Sequence, residues 1–87
     1  MKSKVIWVLG VYVSDRVEKI NLIQPVLTKF GCSIKTRLGL HEANDEVCSK
    51  NGLMILELSG DPSEFIKLEN ELLKIEGLDV KKMVFQE

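Results

Sequence analysis

His41, Glu42, Asp45, Glu46 and Cys48 stand within one short stretch and are the residues of this chain best suited to chemistry. Imidazole, thiolate and carboxylate together form a donor set that suits a transition metal. His41 and Cys48 are the two that a hairpin could bring together, while Cys32 lies too far along the chain to serve as a third ligand. No paired CxxC or HxxxH fixes a zinc geometry. An acidic, solvated loop with an incidental histidine and a semi-buried cysteine is the simpler account. The same pair could form a thiol-imidazole dyad, though nothing in the sequence sets its geometry. Just upstream, Gly39 could admit close backbone approach of a ligand, and Arg37 could then grip a carboxylate or phosphate. An edge-strand charge that discourages aggregation explains Arg37 more simply. The ligand-binding candidates are thus Arg37, Gly39 and His41, and the metal candidates His41 and Cys48. Arg16 could join an anion site at a helix start, but Asp15 and Glu18 already serve that terminus.

These residues need a scaffold, and the stretch from Lys4 to Ser14, KVIWVLGVYVS, is its centre. Val, Ile, Trp and Tyr favour strands. Val5, Trp7, Leu9, Val11 and Val13 form one alternating set, and Ile6, Val8 and Tyr12 the other. A strand apolar on both faces is a central strand. Asp15 with Glu18 reads as a capping box that opens a helix. Val17, Ile20, Ile23, Leu27 and Phe30 give its buried stripe, and Gly31 a left-handed stop. Pro25 predicts a kink near Asn21 in one helix rather than two, because the stripe continues on both sides. From Cys32 to His41, Ile34, Thr36, Leu38 and Leu40 alternate with Lys35, Arg37, Gly39 and His41, the half-buried pattern of an edge strand. A polar hairpin loop follows. Gly52 to Ser59 is again nearly apolar on both faces, with Leu53 and Ile55 opposed to Met54, Leu56 and Leu58. Asp61-Pro62-Ser63-Glu64 is a helix start with a cap and an N1 proline. Phe65, Leu68, Leu72 and Ile75 form its stripe, Lys67 and Glu71 sit one turn apart on the wet side, and Gly77 ends it. Asp79 to Gln86 is the last strand.

The order β-α-β-β-α-β predicts one α+β domain over residues 1–87 with a ferredoxin-like fold. Right-handed crossovers give an antiparallel four-stranded sheet, order 4-1-3-2, with both helices on one face. That order makes the first and third strands central, and those are the doubly apolar ones. The other face then carries a contiguous apolar set, which predicts a homo-oligomer, dimer or tetramer.

With 45% hydrophobic and 29% charged residues, the 87-residue chain has ordinary globular composition. A net charge of -1 leaves no basic footprint for direct nucleic-acid binding. The first apolar stretch is too short to span a bilayer and lacks a small-residue cleavage site, so it reads as a strand rather than a signal. Reduced thiols and a cytoplasmic protein are expected. Acylphosphatases use a glycine-rich loop after the first strand, ending in a buried Arg; here that loop is Tyr12-Val13-Ser14-Asp15-Arg16, without glycine. No nucleophile paired with a base stands elsewhere, so a non-enzymatic protein is expected.

Several short motifs carry a family likeness. The first strand ends in Val13-Ser14-Asp15-Arg16, the helix ends near Phe30-Gly31, and Ile34 to Gly39 spells Ile-x-x-Arg-x-Gly. The third strand has a Leu-x-Ile-x-Leu character, and the end runs Ile75-Glu76-Gly77-Leu78-Asp79-Val80-Lys81. The chain thereby resembles small proteins described as regulators of the iron-only hydrogenase system. Where that family often has a Pro two residues past the Gly, this chain has His41. The resemblance implies an ACT-like fold, close to the C-terminal domain of the nickel-responsive regulator, and a small oligomeric module that regulates by sensing a ligand. The related nickel-binding domain uses His and Cys at an oligomer interface, so a metal-binding sensor using His41 and Cys48 is one alternative. A purely structural partner-binding module is another. The cofactor is unknown, with a transition metal as the candidate. Any effect on DNA would run through a partner protein.

Overall fold

The computed structural model describes residues 4–41 and 51–87; for Arg16, Val17, Leu40 and His41 it describes the backbone. The elements are β1 (Val5–Val13), α1 (Arg16–Lys29), a 3-10 turn (Gly31–Ser33), β2 (Ile34–His41), β3 (Gly52–Leu58), α2 (Pro62–Leu73) and β4 (Leu78–Gln86). All neighbouring strands are antiparallel, and their order is β2-β3-β1-β4. This is the ferredoxin-like, ACT-like βαββαβ fold expected from the sequence, with β1 and β3 in the middle.

The core lies between one sheet face and the helices. β1 contributes Trp7, Leu9, Val11 and Val13, and β3 contributes Met54, Leu56 and Leu58. α1 adds Ile23 and Leu27, its C-cap residue Phe30 joins them, and α2 adds Phe65, Leu68 and Leu72. Leu9, Val11, Leu56, Leu58, Phe65, Leu68 and Leu72 are fully buried. The alternation of the two central strands therefore sorts as read: one set faces the helices, the other faces away.

At α2, the Asp61 carboxylate accepts from the Ser63 N–H at 2.9 Å, Pro62 is the first helical residue, and Glu64 pairs with Lys67 at 2.9 Å. The Ser63 backbone N–H, and after it the Ser63 hydroxyl, hold the Asp61 carboxyl below the ordinary carboxylate range. Gly77, at φ 91°, ends the turn after α2 in the left-handed region that glycine enters without steric cost.

Four local expectations are corrected. Asp15 does not cap α1 with its side chain; it sits at φ 55°, and its N–H donates to Asn51 Oδ1 at 3.0 Å. Aspartate is among the non-glycine residues that tolerate that conformation. Ile20 is exposed. The buried arc of α1 is centred on Ile23 and Phe30 and takes in Val26, and Ile20 lies about 70° off its centre at 100° per residue. Gly31 is not left-handed: α1 runs unbroken through Pro25, then tightens into the 3-10 turn, where the Ser33 N–H reaches the Phe30 carbonyl at 2.9 Å. A register shift between Ile34 and Thr36 splits the alternating set of β2, so Ile34 packs on the core opposite Leu58 while Leu38 stands opposite Ile55 on the other face. On the outer side of α2, Glu71 pairs with Lys29 of α1 at 2.7 Å.

Candidate functional site

The three ligand candidates on β2 fall on one side of the sheet. Arg37 is opposite Leu56, Gly39 opposite Met54 and His41 opposite Gly52, which is the helix-side register. Arg37 is exposed and donates from Nη1 to Gln24 Oε1 of α1 at 3.0 Å, so it ties the edge strand to the helix above it. A Cβ added at Gly39 would meet nothing within 4 Å, so the space beside that backbone is open. Arg37, Gly39 and His41 are thus alternate positions along one edge. Cys48, Glu42, Asp45 and Glu46 lie outside the described residues. Among the described residues no group of three or more His, Cys, Asp and Glu could hold a metal ion. Cys32 is an exposed free thiol on the 3-10 turn.

The opposite face is where the structure concentrates exposed apolar surface. Register pairs fix its rows. Tyr12 lies between Leu53 and Asp79; Gly10 between Ile55, itself beside Leu38, and Lys81; Val8 between Glu57, itself beside Thr36, and Met83; and Ile6 stands beside Phe85. Thr36 donates to Glu57 at 2.9 Å, so the carboxylate inside this face has a partner. Tyr12, Leu38, Leu53, Met83 and Phe85 are all exposed, and Ile6, Val8 and Ile55 half-buried. The face is mainly apolar, spans four strands and is covered by neither helix. Isolated exposed apolar residues are ordinary, but a contiguous set marks an interaction surface.

Two arrangements were not legible in the sequence. One is a knot at the end of β1: the Ser14 N–H donates to the Gly77 carbonyl at 3.0 Å, and the Asp15 N–H to Asn51. It joins the β1–α1, β2–β3 and α2–β4 connections. The other is a charged lid on the core: Lys82 Nζ sits 4.3 Å from the Trp7 ring centroid and 3.1 Å from Glu69 Oε1. Both contacts depend on long-range register, so no local motif marks them. Lys82→Ala should cost about 1 kcal/mol from the lost cation-π and ion-pair contacts. It should also shift the tryptophan emission to the red. Thermal melts and fluorescence check this; an unchanged spectrum with unchanged stability would contradict it. No helix among the described residues is long and apolar enough to cross a membrane.

No family model matches the chain, and no curated protein matches it. Solved structures do. The uncharacterized protein TM1266 from Thermotoga maritima is similar at 23% identity over 97% of this chain and 99% of that one, with a TM-score of 0.78. The ACT domain from the GTP pyrophosphokinase of Chlorobium tepidum is similar at 20% identity over 92% and 99%, with a TM-score of 0.59. CPII from Thiomonas intermedia K12, solved with ADP, AMP and acetate, is similar at 10% identity over 100% and 92%, with a TM-score of 0.57. These likenesses establish the chain as an ACT-like βαββαβ fold.

Proposed function

We propose that this chain is a small, non-enzymatic, ligand-sensing regulatory module that works as a homo-oligomer. The observation that carries this is the open sheet face, where Tyr12, Leu38, Leu53, Ile55, Met83 and Phe85 present apolar surface that a second copy can cover. The fold supports the sensing role, since it is shared with an ACT domain and with a PII-like protein solved with nucleotides. The motifs that resemble regulators of the iron-only hydrogenase system make that system the first process to test. Ligand capture belongs to the β2 edge, where Arg37 supplies a cation, Gly39 open space and His41 an imidazole.

A thermal-shift screen with amino acids, nucleotides and divalent transition metals tests the sensing role. A ligand at about a hundred times its Kd adds about 2.7 kcal/mol to the native state, which raises Tm by about 10–20 °C in a domain of this size. One ligand class is expected to do so, and Arg37→Ala is expected to weaken it. A metal response lost in both His41→Ala and Cys48→Ser would identify a metal sensor. No shift with any class would contradict sensing and favour a structural partner-binding module.

A further inference from the structure

We propose that the outer edge of β4 pairs antiparallel with the β4 of a second copy, about a two-fold axis at Val84. It rests on the self-association proposed above and names one of its surfaces. β4 is an edge strand, with β1 on its inner side. Its end is the most exposed apolar run among the described residues: Met83, Val84 and Phe85 are 56%, 53% and 54% exposed. A strand edge with free backbone groups and apolar side chains is a template for another strand.

The register follows from charge. A two-fold axis normal to the sheet keeps each face on its own side, so only residues of like parity can stand opposite one another. Centring on Lys81 or Lys82 sets each lysine against its own copy. Centring on Met83 sets Asp79 against Glu87. Like charges directly opposite are destabilising. Centring on Val80 sets Asp79 against Lys81 but leaves Val84 and Phe85 uncovered. Centring on Val84 sets Val84 against Val84, Phe85 against Met83 and Glu87 against Lys81 of the second copy. It alone covers the whole apolar run and pairs opposite charges. The strand is ready for it: the Glu87 N–H is already bonded to the Lys4 carbonyl at 2.9 Å, which extends the ladder to that residue. Lys82 is drawn away over Trp7 to Glu69. The other edge, β2, carries Lys35 and Arg37 and an irregularity between Ile34 and Thr36, which are features that block edge pairing. The resulting eight-stranded sheet keeps its apolar face continuous, so two such dimers can stack through it into a tetramer.

Sedimentation velocity on the full chain tests this by charge exchange. Lys81→Glu and Glu87→Lys should each weaken edge pairing at least tenfold, and the double variant K81E/E87K should restore it. Val84→Lys should also weaken it at least tenfold. All three sites are exposed, so melts should stay close to wild type. Should any variant fail to fold, Val84→Cys in a Cys32→Ser, Cys48→Ser background gives a second readout. It should form a covalent dimer under mild oxidation, whereas Ile66→Cys on α2 should not. If these variants leave association unchanged while Leu38→Glu with Leu53→Glu dissolves it, the edge is overturned and the face stands. A wild type that is monomeric at tens of micromolar overturns both.

Discussion

Phe65→Ala should lower the stability of the fold by about 3–5 kcal/mol. Phe65 is fully buried at the first turn of α2, and its ring lies 5.6 Å from that of Trp7, tilted at 58°. The substitution removes a large apolar side chain, leaves a cavity beneath α2 and breaks an aromatic pair worth about 0.5–1.5 kcal/mol beyond its area. A domain of this length holds about 4–13 kcal/mol in total. The variant should therefore melt far below wild type or be partly unfolded at room temperature. Ile66→Ala, one residue on but half exposed, should change stability by less than about 1 kcal/mol. Urea unfolding of both variants checks the contrast. A loss below about 1 kcal/mol at Phe65 would mean that α2 is not seated on β1 as described.

Leu38→Glu combined with Leu53→Glu should abolish packing through the open face without unfolding the monomer. Both leucines are exposed on that face, in adjacent strands and adjacent rows. Each is worth about 1.5–3 kcal/mol when buried. Because a two-fold contact uses every residue twice, four such side chains are lost, and four carboxylates must be desolvated in their place. The association constant of that contact should fall by about a hundredfold or more, since every 1.4 kcal/mol is tenfold. Sedimentation should show a smaller species with unchanged circular dichroism. An unchanged mass would mean that these side chains meet no partner.

The fold was legible because its strongest signals are local or follow from burial. β1 and β3 are apolar on both alternations, and only central strands need that. Asp61-Pro62 announces α2 without tertiary help. What could not be read was decided by tertiary geometry. The sequence Asp15-x-x-Glu18 is the same whether Asp15 caps through its side chain or turns left-handed to meet Asn51 of the β2–β3 connection. Ile20 fits a helical stripe, but the arc that meets the sheet is set by how α1 lies on it. The irregularity that sends Ile34 inward and Leu38 outward has no glycine or proline to mark it. At the candidate site, the sequence singled out Arg37 and Gly39, and the structure places them on the helix side with Arg37 on Gln24. It could not tell that Arg37 had a partner, because Gln24 is separated from it by a turn and half a helix.

The most direct measurement of the central claim is the solution mass of the wild-type chain. Sedimentation velocity across micromolar concentrations should give at least a dimer: the apolar residues of the open face stand in neighbouring rows of the sheet, and burying them together favours association against its entropic cost. A single monomeric species well above that range would contradict the account, and the open face would then belong to a different partner.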